Sequence, residues 1–237
     1  MIRIVPVFLL AVLSVVFSGC ASVSVKKSVV HPGSKPPVTP DAIYVRPFVL
    51  PPHVLRVDRK GAALDNFAAE FQAAFAETLA LRLGKNIAPA RAIGSAEAVP
   101  RSNVWVVEGE FQRINQGSRA LRSIVGCGLG GTKMECIARV YDLRQGRKEP
   151  FVMIETTGGS NAEPGAIFSG PFGAVPRLLM TSVISGVTPD SRRTARMIAA
   201  TLSEYLAAAH APLPSKPMRV KRLGEIPGFI SKRPAGG

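Results

Sequence analysis

The chain has 237 residues, with 30 Lys and Arg against 16 Asp and Glu, a formal net charge of +14. This length suffices for one domain with a substantial core, or for one domain with long ends. So basic a balance would favour nucleic acid in a cytosolic protein. Aromatic residues make up only 6% of the chain, however, and they do not alternate with Arg as in proteins that stack on bases. We therefore expect no nucleic-acid partner.

The N-terminus has the layout of a secretory signal. A single positive charge, Arg3, precedes an apolar run over residues 4–16, shorter than the roughly 20 residues that cross a bilayer. The run ends in Phe17-Ser18-Gly19-Cys20, which resembles the processing site of bacterial lipoproteins, where the chain is cut before the cysteine and its thiol is acylated. We expect a signal peptide over residues 1–19 and lipidation, of the palmitate type, at Cys20. An ordinary secreted protein cut near this point is the alternative.

The residue after Cys20 indicates in which membrane the lipoprotein is anchored. An Asp there would favour retention in the inner membrane, and this chain has Ala21 instead. The expected location is the outer membrane, with the protein lipid-anchored on the periplasmic side. Its plausible anionic partners are then lipid headgroups, the cell wall or an acidic protein surface.

Two further cysteines, Cys127 and Cys136, are nine positions apart in a compartment that permits disulfides. A disulfide between them would contribute about 2–3 kcal/mol on the chain-entropy model. The equal alternative is a pair of buried free thiols that behave as small apolar groups. The three histidines lie far from both cysteines without zinc-type spacing, so we expect no metal and no other cofactor.

Composition divides the mature chain into three parts. Residues 20–40 are rich in Ser, Lys and Pro and predict a lipidated N-terminus with a flexible tether. Residues 41–210 form a single predicted domain. Residues 211–237 combine Lys and Arg with Pro and Gly, which indicates a flexible basic tail.

Apolar periodicity predicts an α/β domain. One helix is expected over residues 64–83, ended by Gly84, and a second over about 190–210, capped by Thr188. Strands are expected over residues 42–49, near 87–93, and over 104–114, 134–143 and 151–157, the last two as a hairpin. Because each helix has one apolar stripe, both should pack on one face of a mixed or antiparallel sheet of four to five strands.

Two patterns in this domain resemble catalytic or ligand-binding motifs. Glu108 and Glu110 share a strand face, as a pair of glycosidase carboxylates would, but neighbours on an exposed face satisfy that distance without a cleft. Glycines at 126, 128 and 131 have the spacing of a phosphate-binding loop. A strand rather than a helix should follow, so we interpret these glycines as a site of close backbone packing.

The same region carries a family resemblance. The segments Phe111-Gln112-Arg113-Ile114 and Gly117-Ser118-Arg119-Ala120-Leu121-Arg122, the alternating glycines, and a strand ending in Val140-Tyr141-Asp142 resemble bacterial lipoproteins grouped as domain of unknown function DUF4410. The resemblance extends over roughly residues 44–206. It implies an uncharacterised periplasm-facing lipoprotein and brings no catalytic residues. The element order is also similar, at the level of fold, to lipoproteins of the curli-secretion-channel type and to cell-wall-synthase activators.

The expected function is therefore that of a non-enzymatic envelope scaffold or assembly factor, acting through an envelope protein partner or self-association. The alternative is a binder of anionic cell-wall or membrane surfaces through Arg113, Arg119, Arg122 and the basic tail. An enzyme is a third class, with no nucleophile–base pair in a recognisable motif to support it. The weakly charged stretch 165–187 is expected to pack on the domain or on a neighbouring subunit, with membrane contact as the other interpretation.

Overall fold

A mixed seven-stranded sheet carries two helices on one of its faces in the computed structural model. The structure describes residues 22–32, 34, 37–57, 59–115, 133–145, 149–159 and 188–224. The strands are β1 (Ser22–Val30), β2 (Ala42–Val45), β3 (Leu55–Arg56), β4 (Ala90–Ala92), β5 (Val104–Asn115), β6 (Lys133–Asp142) and β7 (Val152–Gly159). The helices are α1 (Ala62–Asn86) and α2 (Pro189–Ala208).

The strand order is β1-β7-β6-β5-β2-β4, with β3 beside the far end of β5. Neighbours from β1 to β5 are antiparallel, whereas β2 runs parallel to β5 and β4, and β3 parallel to β5. The α/β class and the β6–β7 hairpin pairing are confirmed. The predicted count of four to five strands is too low, because it omits β1, whose alternation is interrupted by a bulge, and β3, which has only two residues.

Helix α1 packs its phenylalanine stripe on the sheet. The ring of Phe111 from β5 lies 5.3 Å from that of Phe71 and 5.1 Å from that of Phe75. The prediction that Gly84 ends this helix is wrong, since α1 continues to Asn86, whose amide Nδ2 donates to the carbonyl of Arg82 at 2.6 Å. The buried face, rather than the glycine, decides how far the helix extends.

Helix α2 begins as predicted. Pro189 is its first residue, and the Ser191 N–H donates to Thr188 Oγ1 at 3.1 Å. The chain beyond α2 departs from the prediction of a flexible tail from residue 211. Val220 is buried, and Leu213 and Met218 pack against the core, so the described residues 211–224 belong to the fold.

The tether predicted over residues 20–40 is also wrong for its first half. Ser22–Val30 forms β1, which pairs along its length with β7 and buries Val23 and Val25. A β-bulge at Lys26 shifts the side-chain alternation, so Val29 lies on the opposite face from Val25. This shift removes the regular period of two by which a strand is recognised in a sequence. The domain therefore extends beyond the predicted limits of 41–210 at both ends.

Strand β5 passes very close to its neighbours at Gly109. A Cβ on this glycine would lie 2.3 Å from the Ile137 carbonyl oxygen and 2.5 Å from Phe48 Cε2. Only glycine fits there without a shift of the backbone.

Candidate functional site: the outer face of the sheet

Strand alternation gives the sheet two faces. Residues directed toward the helices are almost all apolar and buried. The opposite face, here called the outer face, is covered by no described helix or strand. Its central residues come from four neighbouring strands: Lys27 and Val29 of β1; Met153, Glu155 and Thr157 of β7; Glu135, Ile137 and Arg139 of β6; and Glu108, Glu110 and Arg113 of β5.

Charges on the outer face form ion pairs both between strands and within a strand. Lys26 Nζ lies 2.5 Å from Glu155 Oε1, and this hydrogen bond raises the pKa of Lys26. On the neighbouring strand, Glu135 accepts hydrogen bonds from Lys133 Nζ and from Thr157 Oγ1, both at 2.9 Å. Burial opposes ionisation of Glu135, but these bonds outweigh it, so the pKa of Glu135 is lowered.

An apolar patch lies beside the Lys26–Glu155 pair. Val29 and Met153 are register partners and are 39% and 37% exposed. Ile137, on the next strand, is half-buried. The outer face thus combines a small uncovered apolar patch with charged neighbours, and both kinds of surface occur at protein–protein interfaces.

The two carboxylates that invite a catalytic interpretation lie on this open face. Glu108 is the register partner of Arg139, and Glu110 Oε2 lies 4.0 Å from the Arg139 guanidinium. Their surroundings are those of two neighbouring carboxylates on an exposed strand face.

Of the three arginines predicted to contact anions, only Arg113 falls within the described residues. It follows a register shift in β5 and is the register partner of Glu135. Its charge helps to lower the pKa of that carboxyl. Arg119 and Arg122 lie outside the described residues, as do the alternating glycines and residues 165–187.

Cys136 is fully buried on the helix-covered side of β6 and has no disulfide partner among the described residues. Burial raises its pKa to about 12, and its Sγ lies 3.3 Å from Thr156 Oγ1. This environment corresponds to the second of the two interpretations, a thiol acting as a small apolar group. Cys127 and Cys20 lie outside the described residues, so the disulfide and the lipidation stay predictions.

A buried carboxylate at the end of β6 was not predicted as a functional residue from the sequence. Asp142 is only 3% exposed, and the Nε of Arg144 donates to both of its oxygens at 3.1 Å. Nearby, Tyr205 packs on Phe151, and burial together with the Asp142 charge raises the pKa of Tyr205. The spacing of an Asp and an Arg two positions apart at a strand end is a weak signal, and this pair stabilises the end of the sheet.

In the part of the chain that the structure describes, no group of three or more His, Cys, Asp or Glu side chains is placed to hold a metal ion. Neither α1 nor α2 has the length and apolar character needed to cross a membrane.

A small cleft lies where β5 ends and α2 begins. It is lined by Phe71, Ile114, Asn115, Lys133, Met134, Thr188 and Asp190.

Residues 43–175 match the model of a family described as domain of unknown function (DUF4410), which is more than half of the chain. The protein belongs to the DUF4410 family. This confirms the resemblance carried by the segments around Phe111 and Asp142. No curated protein matches the chain.

Solved structures offer only a distant likeness to this DUF4410 protein. A PelC dodecamer from Paraburkholderia phytofirmans is 13% identical, with a TM-score of 0.33, over 69% of this chain and 96% of the other. A point variant of the same PelC dodecamer has the same identity and TM-score over 95% of its length. The dodecameric state is a property of PelC.

The DUF4410 match covers β2 to β7 and α1, but neither β1 nor α2. In this protein those two elements complete the fold, since β1 extends the sheet beyond β7 and α2 covers β1, β6 and β7. One side of the outer face, including Val29, therefore comes from chain outside the matched segment.

Proposed function

We propose that this DUF4410 protein is a lipid-anchored envelope scaffold that faces the periplasm from the outer membrane. It acts by contact with a protein partner or with a second copy of itself, rather than by catalysis. The signal layout ending at Cys20 supports the location. The outer face of the sheet supports the mode of action.

The charge of the outer face is nearly balanced. Five cations (Lys26, Lys27, Arg113, Lys133 and Arg139) stand against four carboxylates (Glu108, Glu110, Glu135 and Glu155). A surface with this balance does not concentrate polyanions, which need an excess of positive charge. It can instead match a protein surface on which acidic and basic residues alternate.

The observation that carries the proposal is the adjacency of Val29 and Met153 on an open sheet. Two large apolar side chains more than a third exposed, bordered by ion pairs, can be buried by a flat partner without leaving a charge unpaired. A small molecule, in contrast, needs a concave site that buries most of its surface.

Site-specific photo-crosslinking in intact outer membranes tests the proposal. A photoreactive amino acid replaces Met153 on the outer face, and in a matched variant it replaces Leu81, which is 75% exposed on α1. We expect a discrete crosslinked product at position 153, identified by affinity capture and mass, and much less product at position 81. Equal or diffuse crosslinking at both positions would contradict an interface on the outer face.

The alternative function, binding of anionic surfaces through the basic loop and tail, has a separate test. A Cys20→Ala form without the anchor would be mixed with sacculi or with anionic vesicles at increasing ionic strength. Retention that falls steeply above physiological salt would support the alternative. The described start of the tail gives it limited support, because Arg222 is bonded to both oxygens of Glu204 at 2.8 Å.

A further inference from the structure

The beginning of β1 lies at one end of the sheet, aligned with the ends of four other strands. Register pairing places Ser22 opposite Gly159, Gly159 opposite Lys133, Lys133 opposite Asn115, and Asn115 opposite Arg56. We name the end of the domain marked by these five residues the anchor end. Helix α2 begins near it, since Thr188, the residue before α2, lines the cleft beside Asn115.

The anchor end is very close in sequence to the predicted lipidation site. Ser22 is only two positions after Cys20, so the two residues lie at most about 7 Å apart in any conformation. The tether of some twenty residues expected from composition is therefore replaced by a link shorter than the width of two strands.

The start of β1 is held firmly enough to keep this link short. On one side β1 pairs with β7, and on the other the Val25 N–H donates to the Lys221 carbonyl at 2.7 Å while its own carbonyl accepts from Leu223 at 2.9 Å. Val23 and Val25 are 4% and 3% exposed. Detaching β1 to lengthen the link would break both sets of hydrogen bonds and expose these side chains.

Charge also distinguishes the two ends of the domain. Among the described residues, the anchor end has seven cations against three carboxylates, a net of +4. The cations are Arg56, Arg59, Lys60, Arg113, Lys133, Arg192 and Arg193, and the carboxylates are Asp65, Glu135 and Asp190. The opposite end is closer to balance, at +1, since its guanidinium groups include that of Arg46, which donates to the Glu97 carbonyl. Its cations are Arg46, Lys85, Arg91, Arg101 and Arg144, and its carboxylates are Asp41, Glu97, Asp142 and Glu149.

We propose that the anchor end is a membrane-docking surface, which holds the domain directly against anionic lipid headgroups with the strands of the sheet pointing away from the bilayer. This inference rests on the proposed lipidation of Cys20. The short link restricts the domain to a pivot about one corner of the sheet, and the excess of positive charge selects the anchor end as the side that contacts the headgroups. The outer face then stands roughly perpendicular to the membrane, open to a partner.

Fluorescence quenching on the full lipidated protein tests this orientation. Single cysteines are introduced at two exposed arginines, Arg56→Cys at the anchor end and Arg101→Cys beyond the start of β5, in a Cys127→Ser background. The two ends of β5 are about 36 Å apart. Each variant is labelled with a small fluorophore and reconstituted into vesicles of phosphatidylethanolamine and phosphatidylglycerol that contain headgroup spin-labelled lipid. We expect quenching at position 56 to exceed that at position 101 several-fold.

Two further variants make the test specific. A probe at Val30→Cys, on the edge of the sheet and far from Ser22, reports whether the β1 edge lies on the bilayer instead. Eight Gly and Ser residues inserted between Ala21 and Ser22 should lower quenching at position 56 toward the value at position 101, with lipidation unchanged. Equal quenching at positions 56 and 101, or stronger quenching at position 30, overturns the orientation.

The intact mass of the mature protein separates this inference from the proposed function. A protein without acyl chains on Cys20 overturns both. A lipidated protein whose probes are quenched equally overturns only the membrane-docking surface, and leaves the scaffold proposal to the crosslinking experiment.

Discussion

The two faces of the sheet are formed by the same strands and differ in what covers them. On the helix-covered face, β5 and β6 present Phe111, Cys136 and Val140, all of them fully buried. On the outer face, Glu108 and Glu110 of β5 and Glu135 and Arg139 of β6 are charged and partly exposed. Since side chains alternate along a strand, each face can serve a different purpose. We infer that stability is concentrated on the covered face, which leaves the outer face free to vary with the partner.

The largest difference between the faces is expected at Phe111. Its ring contacts those of Phe48, Phe71 and Phe75, at centroid distances of 5.7, 5.3 and 5.1 Å. Phe111→Ala should lower the free energy of unfolding by about 3–5 kcal/mol, because it leaves a cavity among these rings. Urea unfolding followed by circular dichroism measures the loss. Leu81→Ala, at an exposed helical position, should change stability by less than about 0.5 kcal/mol, and similar losses for both variants would refute this contrast.

A substitution at Gly109 tests how closely β5 approaches β6 and the Phe48 ring. Gly109→Ala should cost about 1–3 kcal/mol, since the new methyl group would overlap the Ile137 carbonyl and the Phe48 ring. Gly94→Ala is the matched control, because a Cβ there meets no atom within 4 Å. Thermal unfolding measures the stability of both variants. A Gly109→Ala protein as stable as the control would show that β5 and β6 separate easily.

The cap of α2 should contribute less. Thr188→Ala removes the acceptor for the Ser191 N–H and should cost about 1 kcal/mol. Thr188→Ser retains the hydroxyl and should restore most of that loss. Urea midpoints of the two variants, compared with the unchanged protein, measure the cap, and equal losses would attribute the effect to packing of the threonine methyl group instead.

The smallest expected effect is on the outer face, at Glu135. Its pKa in the folded protein lies below the ordinary value of 4.5, so its ionised form adds stability above that pH, and the gain disappears as pH falls through the folded pKa. Glu135→Gln should cost less than about 1 kcal/mol at pH 7, because the ion pair is partly exposed. Unfolding measured at pH 7 and pH 3 should show the difference shrinking in acid. A difference that grows in acid would reverse the assigned sign.

The strongly periodic parts of the sequence predicted local structure well. The stripe of α1 and the Thr188-Pro189 start of α2 are seen as expected, as are the two faces of β5. In each case the signal comes from residues within a few positions of one another, where helix or strand geometry alone relates them. The end of α1 was missed because burial of its last turn outweighs the local preference of Gly84 to end a helix.

The candidate site was only partly predictable. Glu108 and Glu110 were expected to share a face, and they do so on β5. Their neighbours on the outer face come from distant parts of the chain. Lys26 and Glu155, for example, are 129 positions apart, and no local pattern relates them.

The sequence by itself determined the helices, their apolar stripes, the shared face of Glu108 and Glu110, and membership of the DUF4410 family, because each depends on local order or on motif spacing. Only the tertiary structure decided that residues 22–30 and 211–224 belong to the domain. Four of the nine residues of β1 are valines, which favour strands, but the bulge at Lys26 interrupts their alternation. Hydrogen bonds to β7 and to the segment after α2 hold this strand in the sheet. Those hydrogen-bond partners come together only in the folded chain. The outer face and the anchor end, which both include residues of β1, therefore also exist only in the folded chain.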